Sequence, residues 1–377
     1  MRAGAIVGLL VSWIVGWSVV SAQEPTLTRG PYLQSTTRES VIVVWQTSSA
    51  GDSVVDYGES GYTQTIGDPA LVMTHVITVT GLTAGTTYPY RISTGGAVLH
   101  EATFSTAPDP GGAFSFVVIG DSGTGYQAQY DVAARMLALD PDVMLHTGDV
   151  IYPAGEAQNY NAKFFTPYRD LVDHIPVFPS LGNHDYIAPD GQPYLEAFYL
   201  PGGERYYSFD WGDAHFVVLD STPPRYKDGP MLQWLQSDLA ASTARWTFVF
   251  FHHAMFTVGP HVNDPTLPDM RATLAPIFSQ HGVDIVFNGH DHDYERSHPQ
   301  NGVIYIVSGG GGASLYDPVT ADDAIAYFAK AYHTVEVQIT GCILSLRAID
   351  TNGAVLDQIA LAKDCPHHVY LPIILKQ

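Results

Sequence analysis

Apolar and polar positions alternate along SVIVVWQT (40–47), placing Val41, Val43 and Trp45 on one face of a half-buried strand. VVDYG (54–58), HVITVTGL (75–82) and TTYPYRIS (86–93) follow at the spacing of a β-sandwich. APDPGGA (107–113) is dense in chain breakers and reads as a linker. From Phe114 the rhythm changes to α/β. Short apolar runs recur at FSFVVI (114–119), PDVMLH (141–146), IPVFPSL (175–181), WTFVFF (246–251) and VDIVF (283–287). Helix-like stretches lie between several of them: YQAQYDVAARMLALD (126–140), PMLQWLQSDLAA (230–241), which opens on proline, and DMRATLAPIFSQHG (269–282). The segment 334–361 returns to strands, with Asn352-Gly353 as a hairpin turn. The pattern predicts a multi-domain chain, an all-β sandwich over 27–108 followed by an α/β domain over 113–363. The tail 364–377 has no assigned role; VYLPIIL within it is too short to span a bilayer.

Composition adds a compartment and a set of exclusions. Arg2, the apolar stretch Ala5–Val20 and the small residues Ser21 and Ala22 form a signal peptide over 1–22, with an uncleaved anchor as the alternative. The protein is then expected to be secreted or otherwise extracytoplasmic, with no membrane partner beyond that peptide. The whole chain carries 17 basic and 38 acidic residues, a formal charge of −21. Such a surface repels phosphate backbones, so nucleic acid is not an expected partner. Cys342 and Cys365, the two cysteines, either form one disulfide or stay free. Oligomeric state is not legible.

Each of the five apolar runs ends in a polar cluster: GDSG (120–123), TGDVIY (147–152), GNHD (182–185), HH (252–253) and GHDH (289–292). In open α/β sheets the site lies beyond the carboxyl ends of the strands, so the five clusters converge on one crevice. They offer imidazole, carboxylate, amide and phenol but no thiolate, a donor set for hard-to-borderline metals. In an extended chain residues i and i+2 project to one side, so His290 and His292 face the crevice together and Asp291 turns away.

The ordered series GD, GDxxY, GNH, VxxH and GHxH resembles the signature of the metallophosphoesterases and, with its tyrosine, the purple acid phosphatases. GLTAGTTYPYRI (81–92) resembles the fibronectin type III pattern, with Tyr88 as the corner tyrosine; Pro89 departs from it, since proline demotes a strand to an edge or a bulge. The resemblance implies a four-layer αββα domain after a fibronectin-like domain. It also implies a centre of two metal ions. Asp121, Asp149, Tyr152 and His292 would hold Fe(III), the cation acidic enough to bind a phenolate. Asp149, Asn183, His252 and His290 would hold Fe(II), zinc or manganese, with Asp149 as the bridge.

His184 would face the phosphate or protonate the leaving group, with Asp185 orienting it or capping the loop, and His261 would face the substrate or lie in a surface loop. His146 would stand behind the ligands, the role of His253 is open, and the glycine run SGGGGAS (308–314) is either an anion-binding loop or a mobile connection. The activity implied is hydrolysis of small phosphate monoesters by a metal-bound hydroxide, an acid phosphatase. A phosphodiesterase or nucleotide hydrolase on the same centre is the near alternative. A surface binding protein with a disused phosphatase fold is the distant one, and it would be expected to have lost ligands.

Overall fold

The structure is a computed structural model that describes residues 24–365. The signal peptide and nearly all of the C-terminal tail lie outside the described residues.

Residues Leu27–Ser105 form five strands, ordered Leu27–Gln34, Ser40–Tyr57, Thr87–Thr94 and Ala97–Ser105, with Gln64–Thr80 also paired to the second. Val41, Val43 and Trp45 are fully buried, as the alternation predicts, and they pack with Ile77, Tyr90 and Phe104 in a core of their own. The hydroxyl of Tyr88 accepts the backbone N–H of Thr83 at 2.8 Å, the bond expected of a corner tyrosine. Pro89 is accommodated because its strand pairs with Ser40–Tyr57 only from Tyr90 onward, so no N–H is required of residue 89 on that side.

The unit is seated on the rest of the chain by buried polar contacts. Tyr90 donates to the carbonyl of Asp173 at 2.8 Å, and Tyr32 donates to that of Ala197 at 2.8 Å.

Beyond residue 113 two sheets stack face to face. The first runs Val355–Ala362, Ile343–Asp350, His333–Thr340, Phe114–Ile119, Val143–His146, Val177–Pro179. The second runs Ile325–Ala329, Tyr294–Ser297, Ile304–Ser308, Ile285–Asn288, Trp246–Phe250, Ala214–Val218, Tyr207–Trp211. Phe116 from the first sheet meets Phe216, Phe248 and Phe287 from the second edge-on, at centroid distances of 5.1, 5.2 and 6.1 Å. Each such ring, fully buried, stabilises the stack by about 1.5–3 kcal/mol.

Helices cover the outer faces. Gln127–Leu139 turns Gln129, Val132, Ala133 and Met136 inward, a spacing of three and four residues. Gly229–Ala241, with proline at its start, and Leu267–Gln280 bury Met231, Leu235, Leu239, Met270, Leu274 and Phe278 against the second sheet. The three helices sit within two residues of where the sequence puts them. Strand Ala214–Val218 was absent from the sequence reading, although AHFVV is a plain apolar run.

Cys342 and Cys365 are bonded, with Cα atoms 5.2 Å apart, which closes the alternative left open by their number. No helix among the described residues is long and apolar enough to cross a membrane.

On the strand next to the sheet edge His215 lies between two carboxylates, Nδ1 2.7 Å from Asp210 and Nε2 2.9 Å from Asp238. Burial opposes its protonation, but the hydrogen bonds to Asp210 and Asp238 outweigh burial and push its pKa up to about 9. The folded value exceeds the unfolded value of about 6.5, so this stabilisation is fully present below pH ~6.5 and is lost as pH rises through about 9. It should amount to roughly 2 kcal/mol once the exposed Asp210 arm is discounted. Thermal melts from pH 6 to 9.5 should therefore fall more steeply for the wild type than for His215→Gln. Parallel curves would remove the imidazolium from the account.

Candidate metal centre

The parallel strands of both sheets deliver their carboxyl ends to one rim. Phe114–Ile119, Val143–His146 and Val177–Pro179 lead into Asp121, Asp149 and Asn183. Trp246–Phe250 and Ile285–Asn288 lead into His252, His290 and His292. The centre is thus built half from each sheet.

All seven side chains meet. The phenol of Tyr152 lies 3.0 Å from Asp121 Oδ1, 2.9 Å from Asp149 Oδ2 and 3.0 Å from His292 Nε2. His252 Nε2 lies 2.9 Å from Asn183 Oδ1, 3.4 Å from Asp149 Oδ2 and 3.2 Å from His290 Nδ1. Ligand atoms of Asp121, Asp149 and His252 all fall within 4.8 Å of one another, and all three residues are buried.

Two imidazoles are pre-set for ligation. His252 donates Nδ1–H to the carbonyl of Thr147 at 3.0 Å, and His292 donates Nδ1–H to that of Ser314 at 2.8 Å. Each is left with its Nε2 turned to the centre.

The backbone is strained at the same place. Asp121, Asp149 and His290 have φ of 57°, 54° and 73°, a left-handed region that costs any side-chain-bearing residue energy. His290 and His292 therefore do not alternate as on a strand; the turn at His290 brings both rings in and leaves Asp291 buried behind them. Two glycines permit the close approach. A Cβ at Gly182 would strike the backbone and carboxylate of Asp149, and one at Gly289 would strike the carboxylate of Asp121.

Protein groups alone leave the centre electrostatically unbalanced. Burial, then the carboxylates of Asp121 and Asp149, push the Tyr152 phenol well above its usual pKa of 10. Burial opposes the charge on Asp149, yet His252 beside it holds the carboxyl below the usual range. Burial opposes the charge on His252 too, but Asp149 pushes its pKa up to about 9, so a proton stands at Nε2 where a cation would bind. Two buried carboxylates, a phenol, an amide and imidazoles fixed through Nδ1 fit a pair of cations.

The neighbouring residues sort differently from the sequence reading. His184 is a third exposed, with Nδ1 2.5 Å from the carbonyl of Pro153 and its ring over Tyr152 at 4.5 Å. Asp185 does not orient it. That carboxylate is buried and accepts the N–H groups of Val150, Ile151 and Gly182 at 2.9–3.1 Å, bracing the loops that carry Asp149 and Asn183. The capping alternative is the one the geometry shows.

His261 reaches the rim, stacked on His290 at 3.7 Å. His146 is neutral behind the site, because burial drives its pKa down to about 3; it bonds Ser122 Oγ at 2.8 Å. His253, likewise lowered to about 3 by burial, bonds Ser221 Oγ at 2.8 Å. The glycine run is packed rather than mobile: Gly309 and Gly311 donate to the carbonyls of Asp293 and Gly120, residues 308–313 are buried, and no helix follows. Tyr316, stacked on His292 at 4.1 Å, had no signal in the sequence, since it sits in an irregular segment without periodicity.

Comparison with known proteins agrees with this geometry. The calcineurin-like phosphoesterase family matches residues 114–294. Purple acid phosphatase 4 of Arabidopsis thaliana is 27% identical over 319 residues, covering 72% of this chain and 90% of that protein. The phosphoenolpyruvate phosphatase of Allium cepa is 28% identical over 324 residues, covering 77% of this chain and 66% of its own length. The purple acid phosphatase PPD1 from yellow lupin seeds superposes with a TM-score of 0.76 at 19% identity, over 90% of this chain and 74% of its own, which establishes the shared fold. Residues 114–294 are a calcineurin-like phosphoesterase domain, and the protein is a metal-dependent phosphoesterase homologous to the purple acid phosphatases.

Proposed function

We propose that the protein is an exported phosphatase with two metal ions that hydrolyses small phosphate monoesters and works below neutral pH. The observation that carries this reading is the placement of the Tyr152 phenol within 3.0 Å of Asp121, Asp149 and His292. A phenol so disfavoured as an anion ionises there only beside a strongly acidic cation, which is the argument for Fe(III) held by Asp121, Asp149, Tyr152 and His292. Asn183, His252 and His290 would hold Fe(II), zinc or manganese, with Asp149 serving both sites.

When bound, the two cations supply Lewis acidity and lower the pKa of water from 15.7 towards about 7. The chain's own groups do the rest. His184, anchored through Nδ1 to Pro153, presents Nε2 to protonate the departing alkoxide. His261 faces the phosphoryl group from the opposite sheet. The histidine Nδ1–H bonds to Thr147 and Ser314 keep the ligand rings in one tautomer through the cycle. Export is supported by the disulfide Cys342–Cys365, since such bonds persist in oxidising compartments. Residues 27–108 are assigned as the fibronectin-like domain and 113–363 as the catalytic domain.

The test is an absorption spectrum with metal analysis of purified protein. A visible tyrosinate-to-iron band is expected with about two metals per chain, and Tyr152→Phe should abolish the band while leaving part of the hydrolysis. A colourless, iron-free but active protein would overturn the iron assignment. Comparing rates on an aryl phosphate monoester and the matching diester decides substrate class; a faster diester would place the protein among phosphodiesterases. Maximal activity only in the alkaline range would sink the acid-phosphatase version.

A further inference from the structure

Asp291, between His290 and His292 in sequence, is not a spectator. Its Oδ1 lies 2.8 Å from Nδ1 of His261 and accepts the His261 backbone N–H at 3.3 Å. Its Oδ2 accepts the Thr257 hydroxyl at 2.6 Å. The carboxylate is fully buried, whereas the His261 side chain is a third exposed. The loop around it is fitted to this carboxylate, since a Cβ at Gly259 would collide with it.

Behind Asp291 the brace continues. The Thr257 hydroxyl is also 2.7 Å from Glu295 Oε1 and accepts the N–H of Gly259 at 2.8 Å, while Glu295 accepts the N–H of Val258 at 2.9 Å. The Thr257 hydroxyl thus sits within hydrogen-bond reach of both carboxylates and ties Asp291 to Glu295. The whole assembly points one way, from a buried floor to an exposed ring. That ring stacks on His290 with centroids 3.7 Å apart and planes 28° apart. With Nδ1–H donated to Asp291, Nε2 is the nitrogen left for a ligand, and it makes no hydrogen bond among the described residues.

We propose that Asp291, backed by Thr257, is a positioning residue that fixes the tautomer and aim of His261 so that Nε2 binds a phosphoryl oxygen of the substrate and of the product phosphate. This rests on the phosphatase reading above. A bond from Nε2 to a phosphoryl oxygen persists from bound ester to product, so its loss weakens binding more than turnover.

The test uses metal-loaded wild type, Asp291→Asn, Thr257→Val, His261→Ala and the double variant Asp291→Asn/His261→Ala. Metal content, KM and kcat on an aryl phosphate monoester, and the Kd for inorganic phosphate by calorimetry are measured for each. Asp291→Asn and His261→Ala are expected to keep two metals, raise KM and the phosphate Kd about tenfold, and change kcat less. Thr257→Val should move both constants the same way by a smaller factor. The double variant should be no weaker than His261→Ala alone, because both act through one ring.

Wild-type phosphate affinity in Asp291→Asn, or losses that add, would overturn the proposal. So would metal loss in the Asp291 and Thr257 variants but not in His261→Ala, which would make Asp291 a support of the metal site instead. A wild type that neither holds metal nor hydrolyses the ester sinks the phosphatase reading, and this inference with it.

Discussion

Asp149→Asn is expected to lower kcat/KM on a phosphate monoester by about a thousandfold or more and to leave at most one metal per chain. Asp149 touches both halves of the centre. Its Oδ2 lies 2.9 Å from the Tyr152 phenol and 3.4 Å from His252, while its Oδ1 takes the His184 N–H at 2.8 Å. An amide of the same shape can offer only one ligating oxygen and no charge, so it cannot serve two cations. Stability should fall in the metal-free state as well. There His252 holds the Asp149 carboxyl below its usual range, so the charged form stabilises the fold and neutralising it removes that contribution. Chelated Asp149→Asn should melt below chelated wild type at neutral pH, and added metal should raise its Tm less than it raises that of the wild type. Two metals per chain with activity within tenfold of wild type would take Asp149 out of the bridging position.

Asp185→Ala should destabilise the fold by on the order of 3 kcal/mol or more, a loss that metal cannot fully restore. The carboxylate is buried and is the acceptor for three backbone N–H groups, those of Val150, Ile151 and Gly182. Burial and the Asp149 charge both push its carboxyl upward, yet the N–H donors oppose that shift and hold the group in place. Removing it orphans three buried donors, each worth about 1–3 kcal/mol when left unpaired. Because these loops carry Asp149, Tyr152 and Asn183, activity should fall with stability, and Asp185→Asn should recover part of both. Denaturant midpoints beside metal content distinguish this from a role in proton transfer. An Asp185→Ala protein of wild-type stability but lost kcat would return the residue to catalysis.

How much of this was legible in the sequence depends on distance along the chain. The metal candidates could be found because each follows an apolar run directly, so strand and ligand are read together. Tyr152 came with Asp149 by a three-residue spacing. For Asp185 the sequence offered capping only as one of two roles and for Asp291 it offered none, because the partners that decide them lie 35 and 30 residues away and no spacing encodes a contact across a crevice. The expectation that His290 and His292 face the crevice while Asp291 turns away from it was argued from strand geometry; His290, at φ 73°, reaches the same arrangement through a turn instead. Strand Ile325–Ala329 stayed hidden for a simpler reason: all five of its residues are half-buried, so polarity does not alternate along it.

The division of the centre between two sheets has a mechanical consequence. Along their length the sheets meet through phenylalanine rings, and at the rim through ligand side chains that converge from both. A pair of cations bound there would act as a rivet through two plates. Neither plate could then peel away at that end without first surrendering its ions, so occupancy of the centre and resistance of the fold to shear would become one quantity.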